Sequence, residues 1–179
     1  MAAPLTVPIA HTPRLADDKP HPAGSESVAA ILTRCKDPLI ADWLKRTKGT
    51  PQLNHLHLSD QERTGHLPQL IDDIVVRLAN PDLPTKDSDG PESPAAVEHG
   101  NLRRAQGYSP AMLIHESRIF QVTIFGTLHK NLRVLDFGLL LPDIMTIADE
   151  VDSQLTQTME RFSNPAPKSA KAHLVKPKG

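Results

Sequence analysis

His99 and Arg103 stand one helical turn apart in the run from Ala95 to Glu116, and Glu116 follows between apolar Met112 and Phe120. A lone carboxylate on an apolar face is costly to bury. Glu116 is therefore expected to find Arg103, Arg104 or His99, or else to take up a proton. Such a group can act as a buried clamp fixing the angle between two helices. If it lines a pocket, a ligand or a change of protonation can bias that packing. His66 precedes Leu67 and Pro68 at a helix bend. Its ring is expected to close a backbone hydrogen bond freed by the proline, or else to join the cluster of His99, Arg103 and Glu116.

Other chemistry has less support. The nine histidines invite a metal, but neither Glu-x-x-His pairs nor histidines four apart with a carboxylate occur in a convincing frame. His55 and His57, two apart ahead of Ser59, read as solvated side chains. There is no glycine-rich phosphate loop, no Gly-x-Ser-x-Gly elbow and no paired carboxylates in a catalytic frame. The expectation is a non-enzymatic protein with no resident metal or cofactor.

The elements that must position these residues are helices. Aromatic residues are only 3% of the chain, so the core is built from Leu, Ile, Val and Ala, which suits packed helices better than a sandwich or barrel. Apolar residues recur at helical spacing from Val28 to Leu44, interrupted by Pro38, with Asp37 available as an N-cap for a second segment. Ser59 and Glu62 have capping-box spacing ahead of a helix over about 59–79, with a kink or restart at about His66 where Pro68 removes a donor. Residues 80–94, with four prolines, read as a long loop. A third helix is expected from about Pro94 to Gln106, stopped by Gly107. Ser109 and Pro110 then open a fourth to about Leu132. The fifth, from about Phe137 to Phe162, carries Leu141, Ile144, Ile147, Ala148, Val151, Leu155, Met159 and Phe162 as one apolar stripe. Nothing alternates with period two. The fold class is all-α, a single bundle of about five to six helices over residues 26–163, with a Pro-rich disordered arm over 1–25 and a disordered basic tail over 164–179.

The formal net charge of −1 is unevenly spread: the tail carries Lys168, Lys171, Lys176 and Lys178, leaving an acidic body unsuited to nucleic acid. Cys35 is the single cysteine, so an internal disulfide is impossible and a buried, inert thiol in a reducing compartment is expected. No segment approaches the roughly 20 apolar residues that span a bilayer, and the expected location is cytoplasmic.

Trp43, then His66-Leu67-Pro68 with Leu70 and Ile71, then Ala96-x-x-His99-Gly100-x-x-Arg103-x-x-x-Gly107-Tyr108 and Leu113-x-x-Glu116 form an ordered set. It resembles the N-terminal sensor domain of the RsbR/RsbRD stressosome regulators, a module also found at the front of some bacterial sensor histidine kinases. The resemblance spans roughly residues 28–162, and its most specific part is the His-Gly-x-x-Arg-x-x-x-Gly run. It implies a globin-like fold without haem, usually dimeric, that signals to an attached STAS domain or kinase core. In that scheme His66, His99, Arg103 and Glu116 form the sensing cluster, and Trp43, Pro68, Gly100, Gly107 and Tyr108 are structural. Only a short basic tail follows Phe162, so neither output domain is expected, and phosphoryl transfer does not carry over. The resulting expectation is a sensory module of bacterial stress or two-component signalling. It would act as a homodimer through its fourth or fifth helix, or on a separate kinase, STAS protein or sigma-factor regulator. A haem- or tetrapyrrole-binding sensor and a small metal-dependent enzyme using His66, His99 and Glu116 are the alternatives.

Overall fold

The computed structural model describes residues 25–82 and 92–164. Over these residues the chain is all-α, in the order α1 (Val28–Arg34), α2 (Lys36–Lys48), α3 (Pro51–Asn54), α4 (Asp60–Thr64), α5 (Leu67–Ala79), α6 (Pro94–Ala105), α7 (Pro110–Lys130) and α8 (Leu140–Ser163). The expected arm at 1–25 falls outside the described residues except for Ser25. The tail falls outside them except for Asn164, and the loop over 80–94 does so for residues 83–91.

Local chemistry sets most of the boundaries. Ser59 and Glu62 form the full capping box: Ser59 Oγ accepts from the Glu62 amide at 3.2 Å, and Glu62 Oε2 accepts from the Ser59 amide at 2.8 Å. The expected restart occurs, with α4 ending at Thr64 and α5 beginning at Leu67. The break between α1 and α2 falls two residues earlier than Asp37 suggests. Cys35 takes the cap position, and Pro38 sits inside the first turn of α2, where its missing donor costs nothing. Cys35 is half-buried rather than buried.

The corner between α6 and α7 is tightly specified. Gly107 adopts φ +82°, the Tyr108 amide donates to the Arg103 carbonyl at 3.0 Å, and the Gly107 amide donates to the Arg104 carbonyl at 3.1 Å. Together these make a Schellman motif. Ser109 then caps α7, accepting from the Met112 amide at 3.3 Å, with Pro110 in the first turn.

α8 packs along α6 and touches α5 and α7, while α1 lies on α5 and α2 on α7. Apolar residues of α1, α2, α5, α7 and α8 form the main core, among them Ile31, Trp43, Ile71, Ile124 and Ile147. Leu53, Tyr108, Met112, Leu113 and Phe162 form a smaller cluster. α7 buries Met112, Leu113, Phe120, Ile124 and Leu128 as expected.

α8 departs from expectation. Leu141 is 69% exposed, and buried on the helix are Asp143, Ser153, Gln154, Gln157 and Thr158 beside Ile147, Val151 and Phe162. The polar side chains are used: Gln154 Nε2 donates to the Leu70 carbonyl, Thr158 Oγ1 donates to the Ala96 carbonyl, and Gln157 Oε1 accepts from the Ser93 amide. They tie α8 to α5, to α6 and to the residue that caps α6, which offsets their desolvation.

α6 comes close to the α8 backbone at Gly100. A methyl group there would collide with the Thr158 carbonyl oxygen and stand 3.0 Å from Arg161 Cβ. Gly100→Ala should therefore destabilise the fold by about 1–3 kcal/mol, although alanine is the better helix former by about 1 kcal/mol. Urea unfolding checks this, and an alanine variant at or above wild-type stability would contradict the close approach.

Candidate functional site

Arg103 is fully buried, with 0% exposure, at the last turn of α6. Its guanidinium grips Glu116 on α7 in a fork, Nε to Oε2 at 3.0 Å and Nη2 to Oε1 at 2.6 Å. Its remaining donors reach α4: Nη1 donates to the Glu62 carbonyl at 3.0 Å and Nη2 to the Arg63 carbonyl at 2.7 Å. Nη1 also donates to Gln106 Oε1 at 2.7 Å. These last carbonyls of α4 lack helical partners, and the arginine supplies them. One side chain thus fastens α4, α6 and α7.

The two histidines close the site from the other side. The His66 and His99 rings stack with centroids 4.0 Å apart and planes 21° from parallel. His99 Nε2 lies 3.4 Å from Glu116 Oε2, and His66 Nε2 lies 3.4 Å from Arg103 Nη2. The expected bond from the His66 ring to a backbone group freed by Pro68 is not formed; its other nitrogen, Nδ1, has no partner among the described residues. Tyr108 Oη donates to Glu116 Oε1 at 3.4 Å, and its ring lies 4.8 Å from the Arg103 guanidinium carbon. His66, His99, Arg103 and Glu116 are therefore brought together, with Tyr108 against them. Gly100 and Gly107 shape α6 and its end, and Pro68 sits in the first turn of α5. Arg104 goes elsewhere, donating to the Phe162 carbonyl. His55 and His57 are exposed.

Arg63 is the residue that sequence reasoning missed. It is 2% exposed, and its guanidinium donates to the carbonyls of Leu53, Leu56 and Leu58, holding the connection between α3 and α4. Its position one residue after Glu62 of the capping box gave no sign of burial.

The electrostatics follow from burial beside a fixed cation. Desolvation, with His99 and Arg103 adding to it, holds the His66 imidazole well below its ordinary range. Desolvation also lowers His99, although Glu116 pulls the other way. Burial alone would raise Glu116, but the charge of Arg103 and the His99 contact leave it below its usual value. Burial and the Glu116 charge push the Tyr108 phenol up to about 12. The resting site is an ion pair beside two neutral imidazoles.

His66, His99 and Glu116 offer one donor atom each, all within 4.8 Å of one another, and are the set among the described residues that could hold a metal ion. The arrangement does not converge on a point. An imidazole ligates in its ring plane, and these planes face each other. Both carboxylate oxygens already accept from Arg103. Binding a cation would require a ring rotation and displacement of the guanidinium.

Trp43, His66, Leu67, Leu113 and Phe120, with part of α8, line a cavity of about 30 Å³ beside the histidines. Residues of both apolar clusters meet there.

Removing Glu116 leaves a buried cation unpaired, so Glu116→Ala should cost roughly 3–5 kcal/mol in urea unfolding at neutral pH, and Glu116→Gln less. An unchanged unfolding midpoint for Glu116→Ala would mean that the pair contributes nothing.

The histidines give a second expectation. Their folded-state affinity for protons is below that of the unfolded chain, whose imidazoles titrate near 6.5. Unfolding thus takes up protons below that pH, so stability is complete above it and falls as pH drops towards the folded-state values. Glu116 adds a loss in the same direction below 4.5. The melting temperature should fall between pH 7 and pH 5.5, and His66→Gln should flatten that slope. A melting temperature independent of pH over this window would contradict the neutral pair.

No family model matches the chain, and neither the curated proteins nor the solved structures give a match.

Proposed function

We propose that this chain is a non-enzymatic sensory and interaction module, working through helix packing and through pairing with a second copy of itself. The observation that carries this is Arg103, one buried cation bonded at once to α4, α6 and α7 beside a cavity. A change at the cavity wall must be felt by every element the guanidinium holds, because a close-packed interior transmits small shifts. The ordered motif resembling the RsbR/RsbRD sensor domains supports a role in bacterial stress or two-component signalling, with a globin-like arrangement and a separate kinase, STAS protein or sigma-factor regulator as output. No helix among the described residues is long and apolar enough to cross a membrane.

The pairing surface is the start of α8. Phe137, Leu141 and Met145 follow at four-residue steps and are 62%, 69% and 65% exposed. Phe137 sits in the turn that leads into α8 and Leu141 and Met145 lie one turn apart on it, and exposed apolar side chains of that size are characteristic of an interaction surface. A tetrapyrrole is a poor fit beside the histidines, since the cavity is about 30 Å³ and drug-sized ligands occupy several hundred. The metal alternative retains one specific observation, the donor set of His66, His99 and Glu116.

Light scattering after gel filtration should give twice the chain mass. Leu141→Asp combined with Met145→Asp should give the monomer mass with an unchanged helical circular dichroism spectrum. A strictly monomeric wild-type protein across a wide concentration range would defeat the pairing, and one tightly held ion per chain would promote the metal alternative.

A further inference from the structure

α7 turns a basic face to solvent. Its one acid, Glu116, is buried against Arg103, whereas His115 is half-buried and Arg118, His129 and Lys130 are exposed. α2 packs on α7 and adds Arg46. The Arg46 guanidinium reaches across to α7: Nη2 stands 3.7 Å from the position a Cβ would take at Gly126, one turn beyond Val122. Between the two helices lies a cleft of about 270 Å³ lined by Arg46, Thr50, His115, Arg118, Ile119 and Val122. Helical spacing accounts for the set, since Arg118, Ile119 and Val122 follow His115 within two turns and Thr50 follows Arg46 by one.

The donors in this cleft are uncommitted. His115 and Arg118 make no hydrogen bond or ion pair among the described residues. Arg46 Nη2 donates to Asp42 at 3.2 Å, which leaves Nε and Nη1 free. Asp42 does not line the cleft and is held by Lys130 as well, at 3.3 Å. The Thr50 hydroxyl donates to the Arg46 carbonyl and has no second proton to give. Beside the cations stand apolar Ile119 and Val122, the latter 45% exposed. On an otherwise acidic body, a cleft of one positive sign concentrates anions.

We infer that the cleft between α2 and α7 binds a small phosphate monoester carrying a short apolar group. Arg46 and Arg118 hold the phosphate from two helices, His115 adds a ring N–H, and Ile119 with Val122 cover the apolar part. A carboxylate is satisfied by a single guanidinium fork, as Glu116 on Arg103 shows. A phosphate, with three acceptor oxygens and nearly two charges, engages more than one. The cleft approaches the roughly 300 Å³ at which small-molecule sites begin. This site goes beyond the sensory reading and stands whether or not the chain pairs with a second copy.

Phenyl phosphate, inorganic phosphate and benzoate are titrated in turn, into the tens of millimolar at constant ionic strength, against a ¹⁵N-labelled sample of the full chain. The backbone amide signals of α7 are followed. Phenyl phosphate should give a saturable shift centred on Arg118, Ile119 and Val122, with inorganic phosphate and benzoate both weaker. Arg118→Gln and Arg46→Gln, at exposed positions, should each weaken phenyl phosphate by roughly tenfold or more. Arg133→Gln, an exposed arginine outside the cleft, should leave the affinity unchanged. A shift that never saturates, or an equal loss in the Arg133 variant, would reduce the effect to general attraction and overturn the inference. Benzoate binding as tightly as phenyl phosphate would overturn the phosphate, and inorganic phosphate doing so would overturn the apolar part. Co-sedimentation with phosphatidic acid vesicles, without saturable phenyl phosphate binding, would assign the cations to a membrane surface instead and equally overturn it.

Discussion

The buried pair of Arg103 and Glu116 is the constraint on which the rest of this structure depends. Both charges are buried, and a pair so placed is tolerable only when every donor and acceptor finds a partner. Arg103 meets that condition by using carbonyls at the end of α4 that the helix itself cannot satisfy. The unmet bonds of a short helix and the desolvation cost of a cation offset each other. This explains how a five-residue α4, too short to be stable alone, holds its place.

The pair in turn sets the state of its neighbours. Burial, with His99 and the fixed guanidinium adding to it, keeps the His66 ring neutral, and the carboxylate lies against Nε2 of His99. The stacked imidazoles thus face opposite members of the pair, His66 the guanidinium and His99 the carboxylate. Tyr108 owes its position to the same corner, because the left-handed Gly107 turns the chain so that the phenol meets both members of the pair.

The second organising feature is the polar inner face of α8. Apolar burial alone would leave α6, α5 and α8 free to slide, since it has no direction. Gln154, Gln157 and Thr158 instead bond to single backbone groups on α5 and at the start of α6, and Gly100 lets the α6 and α8 backbones meet. Register along α8 is thus set by hydrogen bonds and one steric fit. The large apolar residues at the start of that helix, freed from the core, face outwards.

The sequence by itself determined the all-α class, the capping box at Ser59, the restart near His66, the stop at Gly107, the start at Ser109 and the pairing of Glu116 with a basic residue on α6. Each is a local matter: a cap, a turn or a charge on an apolar face has its partner within a few residues or must have one somewhere. Only the tertiary structure decided that Arg103 rather than Arg104 is the partner, that Arg63 is buried, that His66 stacks on His99, and that Leu141 faces out while Asp143 faces in. Periodicity tells which residues share a face of a helix, but not which neighbour covers that face or whether the covering surface is apolar. Those outcomes depend on contacts between residues far apart in the chain, between His66 and His99 or Leu70 and Gln154, which no local pattern encodes.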